Sequence, residues 1–234
     1  MAIPPGAILA DAAAGLLVAQ PGGSFWLPPP SSSVAPWVDA AFYFILYVSA
    51  FFFVLIVALM TFFVVRYRRR PGVGPGDAPS HSTWLEITWS GIPLLLVAVM
   101  FGLGFAGFME MRNPPRGAYE IRVSGQKWSW SFQYPNGYVD ENLHVPIDEA
   151  VRLTLSSKDV IHSLYIPAFR IKQDLVPGRY TTTWFRATQQ GEYDLECAEY
   201  CGTSHSDMLA KVIVHPPGEF ETWLQNAETR LKNL

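Results

Sequence analysis

A chain of 234 residues that is 50% apolar, only 16% charged and of net charge −3 has room for one or two domains and carries no basic surplus that would suit nucleic acid. Its two cysteines are too few for a disulfide framework and read as one bridge, a redox pair or metal ligands. The apolar residues are unevenly spread, and that unevenness organises everything that follows.

Residues 1–37 are rich in Ala, Gly and Pro. The stretch AILADAAAGLLVAQ is weakly leader-like, but it has no basic start and Asp11 breaks it. The segment is expected to be a tail outside the membrane, with FWLPPP near the membrane surface. From Val38 to Val65 the chain reads VDAAFYFILYVSAFFFVLIVALMTFFVV, with no charge between Asp39 and Arg66. At about 1.5 Å per residue this run reaches ~40 Å, more than the ~30 Å hydrocarbon core of a bilayer requires. A second run extends from Trp84 to Met109, and its one charge is the early Glu86. Residues 38–110 therefore predict a transmembrane hairpin, with spans at 38–65 and 84–109. RYRRR, Arg66 to Arg70, closes the first span, and no Lys or Arg precedes that span. By the positive-inside rule the connecting loop is cytoplasmic and both chain ends lie outside, which is the periplasmic side of a bacterial inner membrane. That compartment permits oxidised sulfur and metal capture.

Residues 111–234 change character. AVRLTLSS places Val151, Leu153 and Leu155 on one face and Arg152, Thr154 and Ser156 on the other, the alternation of a half-buried strand. AYEIRVS, DVIHSLYI, RYTTTWFRA, GEYDLE and LAKVIV are further strands, with Pro, Gly or Asn between several of them. So many short strands predict a β-sandwich or barrel. In WSWSFQY, the residues Trp128, Trp130, Phe132 and Tyr134 alternate with polar ones and are expected on one face. At the end, Phe220, Trp223, Leu224, Ala227 and Leu231 recur at helical spacing and predict a closing amphipathic helix.

The chemistry concentrates in DLECAEYCGTSHSDM. Cys197, Cys201, His205 and Met208 lie within twelve residues, and DVIHSLYIP supplies His162 from another strand. Two Cys and two His would complete a structural zinc site and leave Met208 unused. A blue-copper site would take two His, one Cys and a weak Met, and would leave a thiol over. Two coppers bridged by both thiolates would use every donor, with a backbone carbonyl between the cysteines, that of Glu199, as a further weak ligand. A Cys197–Cys201 disulfide with unrelated His and Met is the plainest alternative.

At these residues the chain resembles cytochrome c oxidase subunit II, the copper A subunit of haem-copper oxidases. The pattern Cys-x-Glu-x-Cys-x-x-x-His-x-x-Met is present at Cys197, Glu199, Cys201, His205 and Met208, and His162 stands in the expected upstream strand. GQKWSWSFQY, HSTWLEITWSGIP, IKQDLVPGR and GEYDLECAEYCG extend the similarity over residues 24–215. The resemblance implies an α+β membrane protein in which a two-helix transmembrane hairpin precedes a cupredoxin-type Greek-key β-sandwich. It implies a dinuclear copper A centre held by His162, Cys197, Glu199 through its carbonyl, Cys201, His205 and Met208. Cytochrome c would be the donor, and oxidase subunit I, which reduces oxygen to water with proton translocation, the acceptor. Subunit III and membrane lipid are the other implied partners. Trp128 would be the aromatic through which electrons enter, the Glu199 carboxylate would bind Mg2+ at the interface with subunit I, and His81 and Glu86 would stand at the mouth of a proton-uptake path. Glu86 also has a local explanation, since Thr83 to Glu86 reads as a capping box at a helix start.

The chain departs from the family's usual aromatic region. Gln126-Lys127 replaces a His-Gln pair, Ser129 separates the two tryptophans, and Gln133 stands where an acid is frequent. Electrostatic steering of a basic partner is therefore expected to be weaker than in strongly acidic relatives. His144 and His215 match no ligand position and are expected to be ordinary surface or strand-end histidines. The small subunit of a copper A-type nitric oxide reductase, or a membrane-anchored metal-binding module, would share much of this pattern.

Overall fold

The computed structural model describes residues 22–72, 74 and 81–232, so the leader-like stretch lies outside the described residues. The chain divides into two compact units, residues 40–106 and a second unit joining the residues up to Asp39 with those from Gly107 onward. Two long helices run through the first unit, α1 (Ala35–Arg66) and α2 (Thr83–Arg112). Large apolar side chains such as Phe51, Ile56, Phe62, Leu94, Val97 and Phe101 stand uncovered along them. The most apolar windows of the two helices are 0% and 6% buried, whereas a soluble core helix would hide one stripe. Helices that are long and apolar on all sides are candidate membrane spans. At the start of α2 the Glu86 N–H donates to the Ser82 carbonyl at 3.0 Å. The cap is therefore Ser82, one residue earlier than the expected Thr83, and Glu86 keeps its place in the first turn, where an acid suits the helix dipole.

The second unit is a β-sandwich. Its strands are β1 (Tyr119–Gln126), β2 (Ser129–Gln133), β3 (Val139–Asp140), β4 (Leu143–Pro146), β5 (Ala150–Ser157), β6 (His162–Ile166), β7 (Ile171–Leu175), β8 (Thr181–Arg186), β9 (Gly191–Cys197) and β10 (Leu209–His215). They form two five-stranded sheets, ordered β3-β2-β1-β5-β8 and β4-β10-β9-β6-β7. The pairs β1/β5 and β4/β10 are parallel and the other named pairs antiparallel. Such non-sequential neighbours are the mark of long crossovers, and the fold is the Greek-key sandwich that the resemblance implies. The alternation in β5 holds: Val151, Leu153 and Leu155 are fully buried while Arg152, Thr154 and Ser156 are not. They share one core with Ile121, Phe132, Leu164, Phe185, Leu195 and Val212.

The segment ahead of α1 is fastened to this sandwich. Ser32 bridges Ala187, the Ser33 N–H donates to the Arg186 carbonyl at 3.0 Å, and Thr188 N–H donates to the Ser31 carbonyl at 3.0 Å. Asp39, legible in sequence only as the last charge before the long uncharged run to Arg66, is buried against Arg170. Arg170 Nε donates to Asp39 Oδ1 at 2.6 Å and its Nη2 to Oδ2 at 3.0 Å, a bidentate pair. Gly107 packs closely on the Trp37 indole, where a Cβ would clash with Nε1.

A closing helix, α3 (Glu219–Lys232), buries Phe220 and Ala227. Its Trp223 stacks on His144 with ring centres 4.0 Å apart and planes 12° from parallel. His144 is 9% exposed, and its Nδ1 is 2.8 Å from His215 Nε2. The expectation of ordinary surface or strand-end histidines therefore holds for the position of His215, at the end of β10, and fails for His144. Residue type alone hides this, because the partner rings come from β10 and α3.

Candidate metal centre

Strand pairing brings the donors together. His162 opens β6, Cys197 ends β9, and the two strands run antiparallel with Leu164 opposite Cys197. The Ala198 N–H donates to the Ser163 carbonyl at 2.9 Å and fixes where the following loop leaves the sheet. Gly202 turns that loop at φ +125°, a conformation that L side chains rarely adopt. A 3-10 turn over His205–Asp207 then returns the chain, and Met208 precedes β10.

The sulfurs of Cys197 and Cys201 are 3.8 Å apart. A disulfide would need about 2.0 Å, so the two are free thiols and the bridge alternative fails. Each sulfur has its own histidine. Cys197 Sγ lies 3.9 Å from His162 Nδ1, and Cys201 Sγ lies 3.5 Å from His205 Nδ1. Each also has a weak donor, the Glu199 carbonyl oxygen at 3.3 Å from Cys197 Sγ and Met208 Sδ at 3.9 Å from Cys201 Sγ. The ligating atoms of His162, Cys197 and Cys201 lie within 4.8 Å of one another and all three residues are buried. Burial, and then the adjacent Cys197, push the Cys201 thiol up to about 11. Two free thiols side by side, ringed by imidazoles and soft donors, fit a cationic metal that would stabilise both thiolates.

The His162 ring is held on several sides. Its Nε2 is 2.8 Å from Asp159 Oδ1, which leaves Nδ1 toward Cys197. Asp159 also accepts N–H bonds from Lys127 and Val160, each at 2.7 Å. Burial would raise its pKa, but these bonds and the one to His162 outweigh that and hold the carboxyl down to about 2. A Cβ at Gly125 would stand 3.1 Å from Leu175 Cδ2 and 3.3 Å from His162 Cδ2, so a side chain at this strand position would crowd the ring.

Trp128 leaves the aromatic stripe. Strand β2 begins at Ser129, and Trp130, Phe132 and Tyr134 turn into the core, while Trp128 stays 37% exposed in the preceding turn. Its indole covers the cysteine loop, where a Cβ at Gly202 would stand 3.2 Å from Trp128 Cζ2. Tyr200, between the cysteines, is exposed with its ring 5.8 Å from that of His205. The Glu199 side chain is exposed on the same loop. His81 and Glu86 are exposed at the beginning of α2, in the part of the chain that includes the other unit. Asp159, Gly125 and Gly202 escaped the reading of the sequence. Asp159 alone carried a signal, an acid three residues before a candidate ligand histidine.

A family profile described as cytochrome c oxidase subunit II, periplasmic domain, matches residues 136–215. Cytochrome c oxidase subunit 2 of Thermostichus vulcanus is 34% identical, over 86% of this chain and 80% of that protein. The alternative cytochrome c oxidase subunit 2 of Bradyrhizobium diazoefficiens is 31% identical, over 73% of each. The crystal structure of the periplasmic domain of subunit II of cytochrome oxidase from Bradyrhizobium japonicum is 30% identical, with a TM-score of 0.48 over 50% of this chain and 99% of that one.

Proposed function

Since the chain belongs to the family of cytochrome c oxidase subunit II, a subunit of an oxidoreductase, we propose that it is the electron-entry subunit of a haem-copper terminal oxidase and holds a dinuclear copper A centre. The observation that carries this reading is the symmetry of the donors. Each thiol has one histidine and one weak donor, Cys197 with His162 and Glu199 O, Cys201 with His205 and Met208 Sδ. That distribution suits two ions sharing two sulfurs better than one ion, which would leave donors over. Held by His162, Cys197, Cys201, His205 and Met208, a dicopper centre would supply a one-electron store between cytochrome c and the haem of subunit I.

The chain's own residues do the rest. Asp159 holds His162 with Nδ1 directed at Cys197. Trp128 covers Gly202 and offers a donor protein a polarisable ring above the loop. The Glu199 carboxylate, exposed on that loop, would supply oxygen to a Mg2+ ion shared with subunit I, as suits a hard cation. Residues 38–110 anchor the chain in the bacterial inner membrane, with the Arg66–Arg70 loop cytoplasmic and both ends and the domain at 111–234 periplasmic. Glu86 and, ahead of it, His81 then stand on the cytoplasmic side, where protons are taken up into subunit I. Subunit III and lipid complete its surroundings.

Metal analysis with electron paramagnetic resonance of the purified protein tests the reading. Two coppers per chain, with one unpaired electron shared equally between them, are expected. Stoichiometric zinc, or a single copper with a blue-copper spectrum, would overturn it. Cys201→Ser should abolish the shared-electron signal, because a hydroxyl is a poor ligand for a soft metal.

A further inference from the structure

We infer that Trp130 is a positioning residue of the metal centre, a single side chain from the opposite sheet that fixes both arms of the donor set. The inference rests on the dicopper reading. His162 and Cys197 belong to the sheet β4-β10-β9-β6-β7, and Cys201, His205 and Met208 to the loop that joins two of its strands. Trp130 lies on β2 of the facing sheet and is 3% exposed. Its indole N–H donates to the Met208 carbonyl at 3.2 Å, and its ring centre is 6.3 Å from that of His162 at an interplanar angle of 64°.

Three features make this more than core packing. First, Phe132, two residues on in the same strand, fills the core with no polar atom, so burial alone does not call for an indole. A buried N–H needs a partner, and the one it has here is the main chain of a candidate ligand. Second, the Met208 N–H already donates to the His205 carbonyl at 3.3 Å. The turn that carries His205 and Met208 is thus closed from within at Met208 N–H, and Trp130 ties it to the body of the domain at Met208 C=O. Third, Trp130 is paired across the strands with Gly125, the residue whose missing side chain makes room for the His162 ring. One cross-strand pair, large opposite absent, thereby sets His162 on one side and Met208 on the other.

A weak donor such as Met208 tunes a metal through its distance, so a residue that fixes its carbonyl acts on the potential as well as on stability. The test uses the intact oxidase complex with Trp130 replaced by benzothienylalanine, which keeps the ring shape and puts sulfur in place of the N–H, and in parallel with Trp130→Phe. Copper per chain, midpoint potential, copper hyperfine pattern and the rate of metal release to a copper(I) chelator are measured. Both replacements should retain two coppers, shift the potential and the hyperfine pattern, and release metal about two- to tenfold faster, the range that an ordinary hydrogen bond commands. An isostere indistinguishable from the parent in potential, spectrum and release overturns the inference, whatever Trp130→Phe does. So does a lowered melting temperature with an unchanged potential and spectrum, which is the signature of packing alone. A parent protein that carries zinc would sink the dicopper reading separately, and the release rate of the ion it does carry would still decide for or against Trp130.

Discussion

Asp159 does two things at once. Its Oδ1 faces His162 Nε2 at 2.8 Å and its Oδ2 accepts the Lys127 N–H at 2.7 Å, so one carboxylate sets a candidate ligand and the turn that presents Trp128. A carboxylate behind a ligating imidazole makes the ring more basic and favours the more oxidised metal. Asp159→Asn should therefore raise the midpoint potential and weaken metal binding by about 10- to 100-fold. A redox titration beside a chelator competition measures both, and an unchanged pair of values would leave Asp159 with the turn alone. The donors themselves were legible in the sequence because cysteine, histidine and methionine are scarce and four of them share a dozen residues. Asp159, Gly125 and Gly202 were not, because their roles depend on which strand lies alongside. A glycine in a strand looks like a weakness until His162 is found against it.

Among the elements, α3 shows what periodicity can and cannot deliver. The spacing of Phe220, Trp223 and Ala227 announced an amphipathic helix, but gave no hint that Trp223 would lie on a pair of histidines from β4 and β10. The His144–His215 hydrogen bond needs a lone pair on one ring, so it cannot survive protonation of both. Burial first, and then His215 and Arg230, hold His144 down to about 4 against the pull of Asp140. Burial lowers His215 as well, against Glu219. An unfolded histidine titrates near pH ~6.5, so the unfolded chain binds the extra proton first as pH falls. This contribution to stability is complete above about pH 6.5 and is lost as the pH falls through about 4; its size for His144 is on the order of 3 kcal/mol. Denaturant unfolding of the full chain in detergent, followed by tryptophan fluorescence, should show stability falling over that window. His144→Phe keeps a ring against Trp223 and should flatten the slope. An equal slope in the variant would assign the acid sensitivity elsewhere.

On the scale of the whole molecule, charge and hydropathy support the proposed orientation in the membrane. Four arginines follow the first span, none precedes it, and the most apolar stretch of each helix is almost wholly uncovered. In the proposed orientation Glu86, in the first turn of α2, faces the cytoplasm, where protons would be taken up. Glu86→Ala should slow turnover and leave reduction of the copper centre by cytochrome c at its normal rate; a fall in stability alone, with turnover per intact complex preserved, would reduce Glu86 to its helix-dipole role. The outer side yields the complementary case. Trp128 is the partly exposed ring over the cysteine loop, with Gly202 leaving room for it, and in the proposed role an indole there would couple a docked donor to the centre better than water. Docking of the proposed donor should answer to different groups, since the acids Asp140 and Glu141 would act at a distance and be screened by salt. Their excess over bases in this domain is small, so affinity should fall only gently with ionic strength. Trp128→Phe should accordingly cut the limiting rate of electron transfer within the complex several-fold and leave donor affinity nearly unchanged, while removal of Asp140 or Glu141 should do the reverse. Stopped-flow reduction by a soluble cytochrome c over a salt series separates the two quantities. A limiting rate in Trp128→Phe equal to that of the parent would pass the entry role to another exposed ring, and Tyr200, between the two cysteines and beside His205, would be the next to replace.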